Sequence, residues 1–369
     1  MINTVIENLF KVNLGIRKKE RLIIFTDDER KETEEMGDLF TKTGERFAED
    51  ITYIKFRSTG CHGVEPPLII WEKAFGVEAC TELAQKGFLE PLINKKILEE
   101  DIKEVERIIT FHKDKAVNAV IALSHYSTSH TRFRKMLTTI CRARYASMPI
   151  FDRQMLTGAM GVDWEKMAER TAGIAERVNE CDDIEINTPN GTSIRFSKRG
   201  REAKEDNGIL TEPGSFSNLP AGEVYLAPLE GTAEGRLVLE WASTRRLDSP
   251  VTIHIEKGEA VKIEGNEPFV EYLEEKLSED RKNRNIAELG IGTNDKAERP
   301  DNILESEKIL GTVHIALGDN SSFGGKVSTP FHQDFIFFRP TMTLICDNGE
   351  KKEILKDGRL SEKKECYNI

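Results

Sequence analysis

The sequence predicts an α/β amino-terminal domain built on a doubly wound, mostly parallel sheet, followed by a β-rich α+β carboxyl-terminal domain. Two observations predict this. Apolar runs alternate with helix-spaced segments through the first half, and near residue 180 the texture changes to short strands joined by Gly- or Asn-containing turns. At 369 residues the chain is too long for one ordinary core, and it divides by this reading into 1–179 and 180–369.

In the first domain RLIIFTDDE (21–29) is an apolar run ending in a polar loop, as parallel strands do before a crossover helix. ETEEMGDLFTKTGERFAED then carries helical spacing, and ITYIKF reads as a second strand. Residues 79–107 are helical in pieces, AVNAVIALS (116–124) is a third strand, and CRARYASMPIF gives a helix end and a short strand. MLTGAMGVDWEKMAERTAGIAERVNEC has apolar residues recurring at three and four, which predicts one helix. Neither GxGxxG after the first strand nor GxxxxGK[ST] occurs, so those nucleotide-binding loops are not indicated.

In the second domain IEINTPNGTSIRFS predicts a hairpin with Asn-Gly at its turn. EVYLAP, RLVLEW, VTIHIEKGEAVKIEG and MTLICDNGEKKEILKDGRL continue as short strands, with helix expected mainly in EPFVEYLEEKLSED.

Composition narrows the classes. With 38% hydrophobic and 32% charged residues the chain is that of a globular protein, and no apolar run approaches the length of a bilayer span. A formal charge of −11 opposes a nucleic-acid surface, which needs clustered Lys and Arg. The segment MINTVIENLFKVNLGIRKKERL lacks a signal peptide's apolar block, so a cytoplasmic location is expected. The six cysteines lie far apart without a CxxC, and six reduced thiols are the expectation.

The stretch STPFHQDFIFF (328–338) reads as a buried strand, yet it holds His332 and Asp334. Alternation points those two to one face and Phe331, Gln333 and Phe335 to the other. An imidazole and a carboxylate side by side in an apolar run either pair with each other or hold a metal ion. His314 in GTVHIALGDN, Glu288 in NIAELGIGTN and Glu223 in LPAGEVYLAP are further ionisable residues in apolar or Gly-bounded segments. Three carboxylates and two imidazoles suit two zinc-like ions, with carboxylates bridging the cations and an open position for water.

These residues carry a resemblance. Glu223, Glu288, the HIALG stretch at His314 and the H-x-D at 332–334 resemble the metal-binding pattern of the thermophilic-type metallo-aminopeptidases, the aminopeptidase T and aminopeptidase S family. ALSHYSTSHTRFRKML and RARYASMPIFDRQMLTGAM are similar to that family's first-domain segments. The resemblance implies an α/β domain, a β-rich metal-binding domain, a homodimer and a co-catalytic pair of zinc, cobalt or manganese ions. The ions would be held by Glu223, Glu288, His314, His332 and Asp334, and the activity would be release of N-terminal residues from a peptide substrate. Glu288 would also move the proton, with Glu230 and Glu234 as weaker alternatives that fit polar strand ends better. One departure stands out: the family's peptidases place a tyrosine seven residues after the first histidine, where this chain has Ser321.

Two histidines and an aspartate are also the facial set of non-haem iron oxygenases. Dihydroxypyridine ring-cleaving dioxygenases are similar to the same aminopeptidase family. By that alternative His314, His332 and Asp334 hold one iron ion; a homologue without catalysis is the third reading. His125 and His130 flank a loop at the carboxyl end of a strand, where a substrate role and an ordinary loop or dimer contact are both open. His254 reads as a half-buried strand histidine, and Arg142 and Arg144 as structural cations.

Overall fold

The structure is a computed structural model, and it describes residues 2–361. The chain forms two compact units. One runs through Trp164 and takes back Gly208–Ala221; the other is Glu165–Asn207 together with the chain from Gly222 onward. The sequence reading places a single division near 180, whereas the chain crosses between units three times.

The first unit carries a five-stranded sheet in the order Asp50–Phe56, Arg21–Asp27, Ala119–Ala122, Arg144–Ser147, Phe216–Asn218, and every pair is parallel. Its central strands are buried along their length, as parallel strands covered on both faces must be. The edge strand Phe216–Asn218 is invisible to local pattern. It has three residues and is defined by pairing with Tyr145–Ser147, more than sixty positions back. Arg144, 5% exposed, donates to the carbonyls of Leu14 and Gly15 and pairs with Glu20, so it is a structural cation.

The predicted helix over 155–181 is corrected at its start. Two short 3₁₀ turns, Arg153–Leu156 and Ala159–Gly161, precede a helix that spans only Trp164–Val178. Asp152 caps the first turn by accepting from the amides of Gln154 and Met155. Gly158 and Gly161 fall where a continuous helix would be least stable. The helices at Val77–Gln85, Leu89–Ile93 and Ile102–His112, the 183–197 hairpin and the helix Pro268–Glu279 form as the pattern predicts.

The second unit contains two antiparallel sheets. The eight-stranded one includes Asp183–Asn187, Ser193–Ser197, Glu234–Trp241, Arg246–Glu256 and Thr341–Ile345. The five-stranded one runs His332–Phe337, Val313–Gly318, Ile286–Gly292, Glu223–Leu226, Lys204–Asp206. A single apolar core takes Ile184, Ile186, Phe196, Leu237 and Ile253 from the first sheet and Val224, Leu289, Ile291, Ile315, Leu317, Phe335 and Phe337 from the second. At about 1.5–3 kcal/mol for each large apolar side chain buried, this core is a major stabilising contribution to the unit that does not depend on a ligand.

One further expectation is corrected. Cys181 and Cys346 flank the paired strand ends Asp183 and Ile345, and the structure joins them in a disulfide. Cys61, Cys80 and Cys141 are free, while Cys366 lies outside the described residues. No helix among the described residues is long and apolar enough to cross a membrane.

Candidate metal centre

The five-stranded sheet of the second unit has one face in the core, and the other carries the chemistry. Alternation along each strand divides the faces: Leu289, Ile291, Ile315, Leu317, Phe335 and Phe337 enter the core, so Glu288, Gly290, His314, Ala316, His332 and Asp334 lie on the opposite face, a bulge between Ile286 and Glu288 resetting the alternation there. The register then sets polar groups beside small ones. Gly290 pairs with His314, Glu288 with Ala316, Ala316 with Asp334, Gly318 with His332, and Gly292 with Glu223. Small neighbours leave room above the sheet, and imidazoles and carboxylates from four strands fill it.

The structure thus brings together all five residues singled out in the sequence. His314 Nε2 lies 3.3 Å from Glu223 Oε2 and 3.8 Å from Glu288 Oε1. His332 Nε2 lies 3.3 Å from Glu288 Oε2 and 3.5 Å from Asp334 Oδ2. Two donor groups result, Glu223–Glu288–His314 and Glu288–His332–Asp334, each with ligand atoms within 4.8 Å of one another. Glu288 belongs to both, one oxygen turned to each histidine.

Two details fit a metal ion better than a closed set of ion pairs. His332 Nδ1 is 2.8 Å from the carbonyl oxygen of Asp319, which can only accept. Nδ1 therefore carries a hydrogen, and Nε2 is the nitrogen that, once its own proton is displaced, offers a lone pair to the space shared with Glu288 and Asp334. Glu223 Oε2 and His314 Nδ1 are buried and have no hydrogen-bond partner, although Oε2 faces the His314 ring. A buried carboxylate oxygen aimed at an imidazole nitrogen without a hydrogen bond is what a shared cation would satisfy.

The charges interlock. Burial opposes ionising Asp334, but the imidazoles of His332 and His314 and the Lys308 ammonium hold its carboxyl well below the usual range. Burial likewise works against Glu288, yet its contacts with His314 and His332 keep it low. His314 loses charge stability through burial and regains more from Glu288, Glu223, Glu307 and Asp334, which push it up to about 9. His332 moves in the same direction, with Asp334 the main attraction opposing desolvation. Its side chain is 32% exposed, so solvent screens that attraction.

A pH dependence of metal binding follows. A raised histidine stabilises the metal-free protein fully below its ordinary value of 6.5, and that contribution is lost as pH climbs through about 9. An incoming ion must displace the same proton. Apparent metal affinity is therefore expected to rise about tenfold per pH unit for each proton displaced, between about pH 7 and 9. Chelator competition at several pH values checks this, and a flat profile would oppose it.

Residues outside the predicted set complete the site. Lys308, 1% exposed, places Nζ 2.5 Å from Glu223 Oε1 and 3.1 Å from Glu307 Oε2. Burial raises Glu307 to about 8, with Lys308 partly offsetting it. Phe323 meets His332 edge to face at 6.1 Å between ring centroids and Tyr225 at 5.9 Å. A narrow cavity lined by Ser243, Ile303, Ser306 and Glu307 reaches His314 and Asp334.

The loop after the His314 strand holds the Asp319 carbonyl in place. Asn320, fully buried, accepts from Val327 N at 2.9 Å and donates to Glu230 Oε1 at 3.0 Å. Glu230 also takes the Lys326 amide and pairs with Arg201. Its role is to anchor this loop, and Glu234, which accepts from the Lys257 amide, lies at an exposed strand end. Ser321 is exposed and donates to the Asp319 carboxylate at 3.1 Å. Asn320→Ala is expected to free the loop and weaken metal binding by about 10–100-fold without unfolding the unit. Calorimetric titration checks it; unchanged affinity would deny the loop this role.

The other candidates fall elsewhere. His254 pairs with Glu264 at 2.7 Å on an exposed face. His125, half-buried, packs edge to face on Tyr126 in the first unit, and His130 is exposed there.

Comparison with known proteins adds the following. The family model described as NicX, 2,5-dihydroxypyridine 5,6-dioxygenase, matches residues 150–362. A 2,5-dihydroxypyridine 5,6-dioxygenase of Pseudomonas putida strain KT2440 is 29% identical over 143 residues, 34% of this chain. The match spans only 41% of that relative's length. Among solved structures, the 2,5-dihydroxypyridine dioxygenase from Pseudomonas putida KT2440 superposes with a TM-score of 0.69 at 17% identity, covering 98% of this chain and 97% of the other. Wild-type AmpT from Thermus thermophilus gives 0.61 at 17% identity, covering 98% and 99%. At such identities the two structures share the fold.

Proposed function

The chain belongs to the family described as NicX, 2,5-dihydroxypyridine 5,6-dioxygenase, and on that premise we propose that it is a metal-dependent oxygenase that opens a hydroxylated aromatic ring of the dihydroxypyridine kind. The observation that carries this reading is one arrangement: His314, His332 and Asp334 on one sheet face, beside the aromatic pair Tyr225 and Phe323. Two imidazoles and a carboxylate are the donor set of a non-haem iron site. Bound there, ferrous iron supplies the one-electron chemistry that lets an electron-rich ring react with dioxygen.

The protein's own residues do the rest. The Asp319 carbonyl holds Nδ1 of His332, so the ring is oriented for Nε2 to ligate once its proton is displaced. Phe323 and Tyr225 offer apolar ring surface on the side of His332, suited to a flat substrate. Glu288 is held ionised by the two histidines, and its carboxylate is the group able to take a proton from a ring hydroxyl.

Aminopeptidase chemistry is the second reading, favoured by one specific feature. Glu288 turns one oxygen to each donor group, as a carboxylate bridging two ions would. The likeness to AmpT supports it at the level of fold. The two readings separate in one pair of assays. Iron-loaded protein is expected to consume oxygen on 2,5-dihydroxypyridine, with loss of the ring's absorbance. Release of N-terminal residues from free-amine peptides by zinc- or cobalt-loaded protein, with no oxygen uptake, would reverse the order.

A further inference from the structure

Lys308, with Glu223 and Glu307 that hold it, is left unused by the proposed chemistry. Its ammonium is enclosed, with 1% of the residue exposed, and a buried cation persists only where carboxylates hold it. Glu223 Oε1 at 2.5 Å and Glu307 Oε2 at 3.1 Å hold it here. Local backbone fixes its position: the Lys308 carbonyl accepts from Asn294 N at 2.9 Å. Gly292, paired with Glu223, lets that segment approach, since a Cβ there would stand 2.0 Å from the Ile309 carbonyl oxygen.

We propose that Lys308 is a built-in cation that supplies, at Glu223, the positive charge a two-ion centre takes from its second metal, and that it thereby limits this site to one divalent ion per chain. The inference rests on the metal-centre reading above and is independent of the oxygen chemistry. The two donor groups hold three carboxylates, Glu223, Glu288 and Asp334. Glu307 beside Lys308 is a fourth, and against the ammonium the four leave at most three negative charges, fewer than the four positive charges that two divalent ions would bring. A second ion would leave uncompensated positive charge in a buried space, which is costly. Geometry agrees with charge. With Oε1 engaged by the ammonium, Glu223 has one oxygen left and cannot chelate or bridge with both.

The test is metal stoichiometry, read by elemental analysis after dialysis and by calorimetric titration with zinc and with cobalt. The full-length protein is expected to bind one ion per chain. Lys308→Met is expected to bind two, the second being lost again when Glu223→Gln is added; Lys308→Arg is expected to stay at one. Two ions in the unaltered protein would overturn the proposal, as would one ion in Lys308→Met with an unaltered circular dichroism spectrum. Should Lys308→Met not fold, Glu223→Gln decides alone: retention of one ion supports the proposal, and loss of the ion overturns it by making Glu223 a ligand of the only metal. A ratio of one in a protein that consumes no oxygen would remove the ring-opening reading and leave this inference standing.

Discussion

Asp334→Ala is expected to abolish metal retention and to reduce metal-dependent activity by more than about a hundredfold, with the fold intact. Loss of an outer partner of a metal ligand already costs about 10–100-fold, and Asp334 is in the ligand position itself. Its side chain is enclosed, held ionised by His332, and 3.5 Å from that ring. Alanine removes a negative charge from a site where every carboxylate is balanced against an imidazole or an ammonium. The protein should still fold, because Phe335 and Phe337 on the same strand enter the core from the opposite face. His332→Ala should give the same loss of metal. Elemental analysis and a thermal melt followed by circular dichroism check both variants together. Unaltered metal content in Asp334→Ala would exclude it as a ligand.

Why the strand carrying His332 and Asp334 was legible, and its surroundings were not, has a physical reason. A period of two on a single strand is a local property, so the shared face of His332 and Asp334 follows from spacing alone. Glu223, Glu288 and His314 each interrupt an apolar segment, which marks them as buried charges in need of partners. Lys308 gives no such signal. It sits in ESEKILG, among charges that look solvated, and is buried only because the chain turns back over Glu223 after the short helix Ile303–Ser306. Tyr225 and Phe323 come together through the pairing of strands far apart in sequence and the course of the loop after Gly318. The same holds for Phe216–Asn218 and for Cys181 with Cys346, whose partners are set by long-range register and by no motif. What pattern cannot supply is the identity of a neighbour across a sheet, and the ordering of this site depends on those neighbours.

Gly290→Ala tests that dependence directly. Gly290 lies opposite His314 in the antiparallel pair, and the imidazole folds over it. A Cβ at 290 would stand 1.9 Å from His314 Cε1 and 2.0 Å from Nε2, far inside van der Waals contact. The ring cannot yield by a few tenths of an ångström, because His314 is 1% exposed and lies between Glu223 and Glu288. Either the imidazole swings off the donor cluster or the strands part. Overpacking of a tight site costs about 1–3 kcal/mol, so the unit should remain folded with a lowered melting temperature. Metal affinity is expected to fall much further than stability, because one methyl group displaces a nitrogen that belongs to a donor group. Glycine is required here for close approach and not for a special backbone conformation. Gly324→Ala, in the same site loop but with open space around its Cβ position, is the contrasting variant. Its φ of 114° makes it strained locally, yet it puts no atom into a ligand. Metal binding should survive Gly324→Ala and fail in Gly290→Ala. Equal losses in the two would mean that general destabilisation, and not displacement of His314, empties the site.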